Sequence, residues 1–146
     1  MKERMRMEKV APGGYRKVFE LHTYSQENVD PALLELIKVR ASMVNGCAFC
    51  VDMHSADAIK AGETPRRLFA LSAWRESPFF SEQERVALAL TDAVTKIGED
   101  GVPDQLWDEA RAIWSEKEVA DLVMAIIMIN AFNRIAITTR RLPEDV

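Results

Sequence analysis

The sequence predicts an all-α protein, a bundle of about six to eight helices. Three observations carry that expectation. No stretch alternates apolar and polar residues over a useful length, as a half-buried strand would. Helix starts are written repeatedly: two cap-plus-proline pairs, Asp30-Pro31 and Thr64-Pro65, and two capping boxes, Ser81 with Glu84 and Ser115 with Glu118. Between these signals, apolar residues return at the three- and four-residue spacing of a helix face.

Residues 1–14 read as a charged arm that ends in Pro12-Gly13-Gly14, and residues 15–146 as one domain. Tyr15–Glu27 carries a weaker helical pattern. Asp30-Pro31 opens a helix to about Val44 that stops at Asn45-Gly46. Cys47 begins the next, to about Ala61, which Gly62 ends. Thr64-Pro65 starts a helix through about Trp74, and Ser77-Pro78 breaks the chain again. After the Ser81 box, Val86, Leu90, Ala93, Val94 and Ile97 make one apolar face. Pro103 to Ile113 is a short helix. The Ser115 box opens a helix to about Thr138 that is apolar nearly all round, which places it at the centre of the molecule or at a subunit interface.

Composition excludes several classes. A length of 146 residues suits one domain, and 48% hydrophobic with 29% charged residues suits a globule. Six Gly and six Pro exclude a collagen-like or linker-like chain. A net charge of −4 promises no basic face for nucleic acid. The N-terminal MKERMRMEKV has no apolar signal-peptide region, and the longest apolar run, Leu122 to Ile129, is far short of the ~20 residues of a membrane span. A soluble, cytoplasmic protein without a membrane partner is expected.

The chemistry-bearing feature is Cys47-x-x-Cys50. Cys47 follows the Asn45-Gly46 break, at or near a helix start where free N–H groups and the helix dipole favour a thiolate. Cys50 is one turn on, on the same face, and His54 is four residues beyond that. An imidazole so placed can take the thiol proton or stabilise the thiolate as imidazolium. Two alternatives stay open: buried small cysteines with a core histidine, and a zinc site completed by His22. Val51 after Cys50 excludes a c-type haem motif, and the absence of strands disfavours a thioredoxin fold. On its own pattern Glu35 reads as a surface carboxylate, because the apolar stripe of its helix is Leu33, Leu36, Ile37 and Val44.

Glu35, eleven residues, Cys47-x-x-Cys50, three residues and His54 together resemble the signature of AhpD-like alkylhydroperoxidases, in the carboxymuconolactone decarboxylase superfamily. The stretch VRASMVNGCAFCVDMHSADAIKAGET carries most of the likeness, which extends weakly to Asn133-Arg134. The resemblance implies a helical fold assembling as homo-oligomers, trimers or hexamers, and reduction of hydroperoxides. Cys50 would be the peroxidatic thiolate, Cys47 the resolving thiol, and Glu35 with His54 a proton relay. No cofactor is implied. The electron donor would be a lipoyl-protein or a thioredoxin-like partner. A decarboxylase-like enzyme, or a non-catalytic redox-sensing or metal-binding oligomer, are the other readings. Helix-dipole reasoning favours Cys47 as the more acidic sulfur, whereas the resemblance gives first attack to Cys50 beside His54. Some relatives carry a histidine next to the second cysteine; here Phe49 stands there, so the rim is more apolar.

Elsewhere, Trp74, Trp107 and Trp114 are expected as core or interface aromatics, and Met124 and Met128 as core fillers. Arg66-Arg67 and Arg140-Arg141 read as solvated or helix-end charges, and His22 as structural or exposed.

Overall fold

Each helix begins and ends where its local chemistry dictates. The computed structural model describes residues 2–143, so Met1 and residues 144–146 of the two expected units lie outside the description. The described residues form eight α-helices: α1 Met7–Val10, α2 Pro12–Asn28, α3 Pro31–Asn45, α4 Ala48–Lys60, α5 Pro65–Ala70, α6 Glu82–Thr95, α7 Asp104–Ile113 and α8 Glu116–Thr139. Asp30 and Thr64 cap α3 and α5 by accepting from the Leu33 and Arg67 N–H groups. Both capping boxes close, Ser81 with Glu84 and Ser115 with Glu118. No strand occurs among the described residues.

Helices α3, α6 and α8 pack together around Leu34, Ile37, Leu90, Val119, Ile126 and Ile129. A second apolar cluster, with Leu36, Leu68, Leu71 and Trp74, joins α3 and α5 to α6. Helix α2 lies on α8, and α4 lies on α3. By length and composition α8 could cross a membrane. Here it is the central core helix on one side and leaves Met124, Ile127 and Ile137 exposed on the other.

The structure revises several expectations. Residues 1–14 were expected as an arm, but helix α1 and the first turn of α2 occupy part of that span. Arg4 ties it to the end of α8 through the carbonyls of Thr138 and Thr139. The helix from Thr64 tightens into a 3-10 turn at Leu71–Ala73, where Arg40 Nη1 takes the Leu71 carbonyl at 3.0 Å. Ile97 lies past the end of α6 and is exposed. Trp107 and Met124 are exposed as well, whereas Trp74, Trp114 and Met128 are buried. Arg67 is no free surface charge: it donates to Glu84 and to the Phe79 carbonyl and lies over the Phe80 ring.

One buried carboxylate ties α3, α6 and the Trp74 turn together. Asp92 accepts from Arg40 at 2.6 and 3.0 Å, from Arg75 at 2.6 Å and from Trp74 Nε1 at 3.2 Å. Burial alone would raise its carboxyl, but these hydrogen bonds outweigh burial and hold it below the ordinary carboxylate range.

Gly46 joins α3 to α4 in the left-handed region, with φ +69°, and no atom stands within 4 Å of where its Cβ would lie. The strain of a side chain there is conformational, not steric crowding by neighbours. Gly46→Ala should therefore destabilise the fold by about 1–2 kcal/mol and Gly46→Asn by less, read as the shift in the denaturant midpoint.

Candidate active site

Because Gly46 turns the chain sharply, the Cys47 N–H reaches back to the Ser42 carbonyl at 3.0 Å and Cys47 becomes the N-cap of α4. Its own carbonyl accepts the Val51 N–H at 2.9 Å, the first bond of the new helix. Cys50 then falls one turn later on the same face. Both cysteines are free, each is 2% exposed, and their Sγ atoms are 2.8 Å apart. A short approach would close the bond of about 2.05 Å that a disulfide needs.

A polar lattice from α8 stands behind the sulfurs. Asn45 Nδ2 donates to the side-chain oxygens of Asn130 (3.0 Å) and Asn133 (2.9 Å). Asn133 Nδ2 donates to Ser42 Oγ at 3.0 Å. These contacts fix which way the Asn133 amide faces, and its side chain favours the charged form of both sulfurs. The thiol of Cys47 is lowered to about 7, chiefly because Cys50 donates its S–H to it; the Cys50 backbone N–H and Asn133 add to this against burial. Cys50 is raised while it holds that shared proton and faces the Cys47 charge. The acidic sulfur is thus Cys47, as the helix start suggested. When the pair ionises, the two cysteines share one negative charge, and the low value belongs to the pair.

Access runs the other way. A cavity of about 400 Å³ is lined by Cys50 and His54 but not by Cys47. Glu35 and Lys38 line it from α3, and Phe19 and Phe132 wall it from α2 and α8. Glu35 is not the surface carboxylate its helix pattern suggested: its side chain is 17% exposed, and Oε1 accepts from the buried Lys38 ammonium at 2.7 Å. Its other oxygen, Oε2, lies 3.9 Å from His54 Nδ1, and neither atom has a hydrogen-bond partner. That gap exceeds a hydrogen bond, and a movement of about 1 Å closes it. Burial lowers His54 to about 4, with the Lys38 charge adding to the effect and Asp57 opposing it. At neutral pH His54 is therefore an uncharged base and not an imidazolium. Among the described residues it makes no hydrogen bond to either sulfur.

All four residues expected from the sequence therefore converge, though the Glu35–His54 pair stands open. Three further lining groups were missed. Lys38 had a weak signal, since it stands three residues after Glu35 and reads as a surface ion pair. His22 was expected as structural or exposed, yet it lines the cavity with Tyr15, Phe19 and Gln26. These four recur at three- and four-residue spacing on α2, which could have flagged a shared face. Arg141 was read as a helix-end charge, and it lies over the Phe49 ring, 4.6 Å from the centroid. For the zinc alternative, no group of three His, Cys, Asp or Glu among the described residues is placed to hold a metal ion.

The sequence model of the carboxymuconolactone decarboxylase family matches residues 12–93. The uncharacterized protein YdfG of Bacillus subtilis (strain 168) is 41% identical over 138 residues, 94% of each chain. Among solved structures, a candidate antioxidant defence protein AhpD of unknown function from Agrobacterium tumefaciens superposes with a TM-score of 0.95 at 40% identity, covering 99% of this chain and 100% of that one. The debrominase Bmp8 shares the fold, with a TM-score of 0.80 at 20% identity over 92% of this chain and 73% of its own.

Two outcomes follow from the buried ionisable groups. The unfolded chain binds a proton at His54 near pH 6.5, and the folded one only near 4. Stability should therefore fall by about 3 kcal/mol as pH drops through that window, and His54→Gln should flatten the loss in urea titrations. The ultraviolet thiolate band of the reduced protein should appear with a midpoint near pH 7, and Asn133→Ala should move that midpoint upward.

Proposed function

The chain belongs to the AhpD-like carboxymuconolactone decarboxylase superfamily, and from that premise we propose that it is a thiol-dependent peroxidase that reduces hydroperoxides through a Cys47–Cys50 disulfide. The observation that carries this reading is the pairing of access and reach. One sulfur, Cys50, borders the cavity, and a second waits 2.8 Å behind it. A decarboxylase has no use for the second sulfur. The fold alone selects no chemistry, as a debrominase on the same architecture illustrates.

In the proposed cycle the shared proton passes from Cys50 to Cys47, which puts the thiolate on the sulfur that substrate can touch. Cys50 Sγ attacks the terminal peroxide oxygen and the O–O bond breaks. The alkoxide leaves as the alcohol with a proton that neutral His54 relays from water, the equivalent of the one the thiol pair released on ionising, and Cys50 becomes a sulfenic acid. Cys47 Sγ then attacks the Cys50 sulfur. Hydroxide departs, takes the second thiol proton as water, and the disulfide forms. Two thiols and one hydroperoxide give one disulfide, one alcohol and one water. An external dithiol, lipoyl or thioredoxin-like, restores the pair by two exchanges and leaves oxidised. Glu35, held by Lys38, lies 3.9 Å from Nδ1; closing that gap in the reacting complex would orient the imidazole and leave Nε2 as the base. The exposed apolar residues of α8 support assembly as a homo-oligomer.

One equivalent of hydroperoxide should remove two thiols per chain, counted by thiol titration. Cys50→Ser should consume no peroxide, while Cys47→Ser should stop at a sulfenic acid that a dimedone probe traps; the reverse pattern would exchange the two roles. Glu35→Gln should slow thiol oxidation in stopped flow by about 10²-fold, at the lower end of general acid–base effects.

A further inference from the structure

We propose that Arg141 is an anion subsite, which selects for this cavity an apolar or aromatic ligand carrying a carboxylate. It rests on the reading above only in taking Cys50 as the reacting sulfur beside which the ligand lies.

The backbone aims this side chain. Arg140 ends α8 in the left-handed region at φ 56°, the one non-glycine residue with positive φ among those described. Its turn folds the chain back, so that the Arg141 N–H reaches the Ala136 carbonyl at 2.9 Å. With the Arg140 N–H on the Ile137 carbonyl, this pair of bonds is the Schellman ending of a helix, and it fixes where the Arg141 backbone starts. The guanidinium then stacks on Phe49, the neighbour of Cys50, and borders the cavity.

Its side-chain donors are open among the described residues: Arg141 donates no side-chain hydrogen bond, and its one ionic contact is Glu8 of α1, at 3.7 Å. That carboxylate stands beyond hydrogen-bond range, close to where a ligand carboxylate would bind in a bidentate pair. The other cavity cation, Lys38, is already engaged by Glu35. The cavity is also polarised. Asp57 lies seven residues past Cys50 on α4, about 10 Å along the helix, and repels an anion from that end. The cavity walls also carry aromatic rings: Tyr15 meets Phe132 edge-on at 5.9 Å, and Phe19 lies beside His22. An anionic end directed to Arg141 and a flat apolar body along these rings match this layout.

Calorimetric titration of the reduced full-length protein with phenylpropionate and its neutral amide tests the subsite without a peroxide. The acid should bind roughly tenfold or more tightly than the amide, as a hydrogen-bonded charge pair implies. Arg141→Met, which keeps an unbranched side chain over Phe49, should erase that preference. Glu8→Gln should strengthen acid binding by freeing the guanidinium. Equal binding of acid and amide, no binding of either, or a preference that survives Arg141→Met would overturn the proposal. A protein that binds the acid through Arg141 and yet consumes no hydroperoxide would refute the peroxidase reading alone.

Discussion

The structure turns on holding two sulfur atoms 2.8 Å apart, nearly out of reach of water, at the first turn of a helix. A buried dithiol that shares one negative charge is costly unless donors surround it. The left-handed turn at Gly46 places Cys47 at the α4 N-cap, where the nearby Cys50 N–H favours its charged form. The Asn133 side chain on α8 adds to this. These groups favour the thiolate without exposing it, so acidity and protection are achieved together.

That requirement explains why polar residues occur deep inside an otherwise apolar bundle. Asn45, Asn130, Asn133, Ser42 and Thr95 form a connected set whose bonds cross from α3 to α8 and α6. Asp92 plays the same part on the far side of α3, where two arginines and an indole enclose it. Connected polar sets rigidify the packing around them because each member has one low-energy orientation. Among the described residues, three buried side-chain atoms lack a hydrogen-bond partner, and two of them are Glu35 Oε2 and His54 Nδ1. The third, Arg67 Nε, lies 3.0 Å from a Glu63 oxygen. Unmet hydrogen-bonding capacity is thus concentrated in the cavity beside the dithiol, where the proposed cycle moves a proton.

Acidity and access fall on different sulfurs for a geometric reason. The N-cap position that lowers Cys47 also turns its sulfur toward α8 and Asn133, whereas Cys50, three residues on, borders the space among α2, α3 and α8. Helix-dipole reasoning points the same way as the lowered Cys47 thiol, whose chief cause is the Cys50 S–H, and says nothing of which thiol a substrate can meet. The short sulfur–sulfur distance reconciles the two, since a proton crossing it moves the charge to the accessible atom.

The local sequence by itself determined the helices from α3 onward in outline, the caps of α3, α5, α6 and α8, and the Cys47, Cys50, His54 register, because those follow from interactions within a few residues of chain. Asp30-Pro31, Gly46, Thr64-Pro65 and the two capping boxes each act on their own backbone. The likeness to a known family brought in Glu35, whose own helix pattern suggested a surface position. Only the tertiary structure decided that Glu35 turns inward, that Lys38 is buried beside it, and that His22 and Arg141 close the cavity. Those four side chains come from α2, α3 and the end of α8. Their roles depend on how the helices pack, and no local pattern records a neighbour more than a hundred residues away.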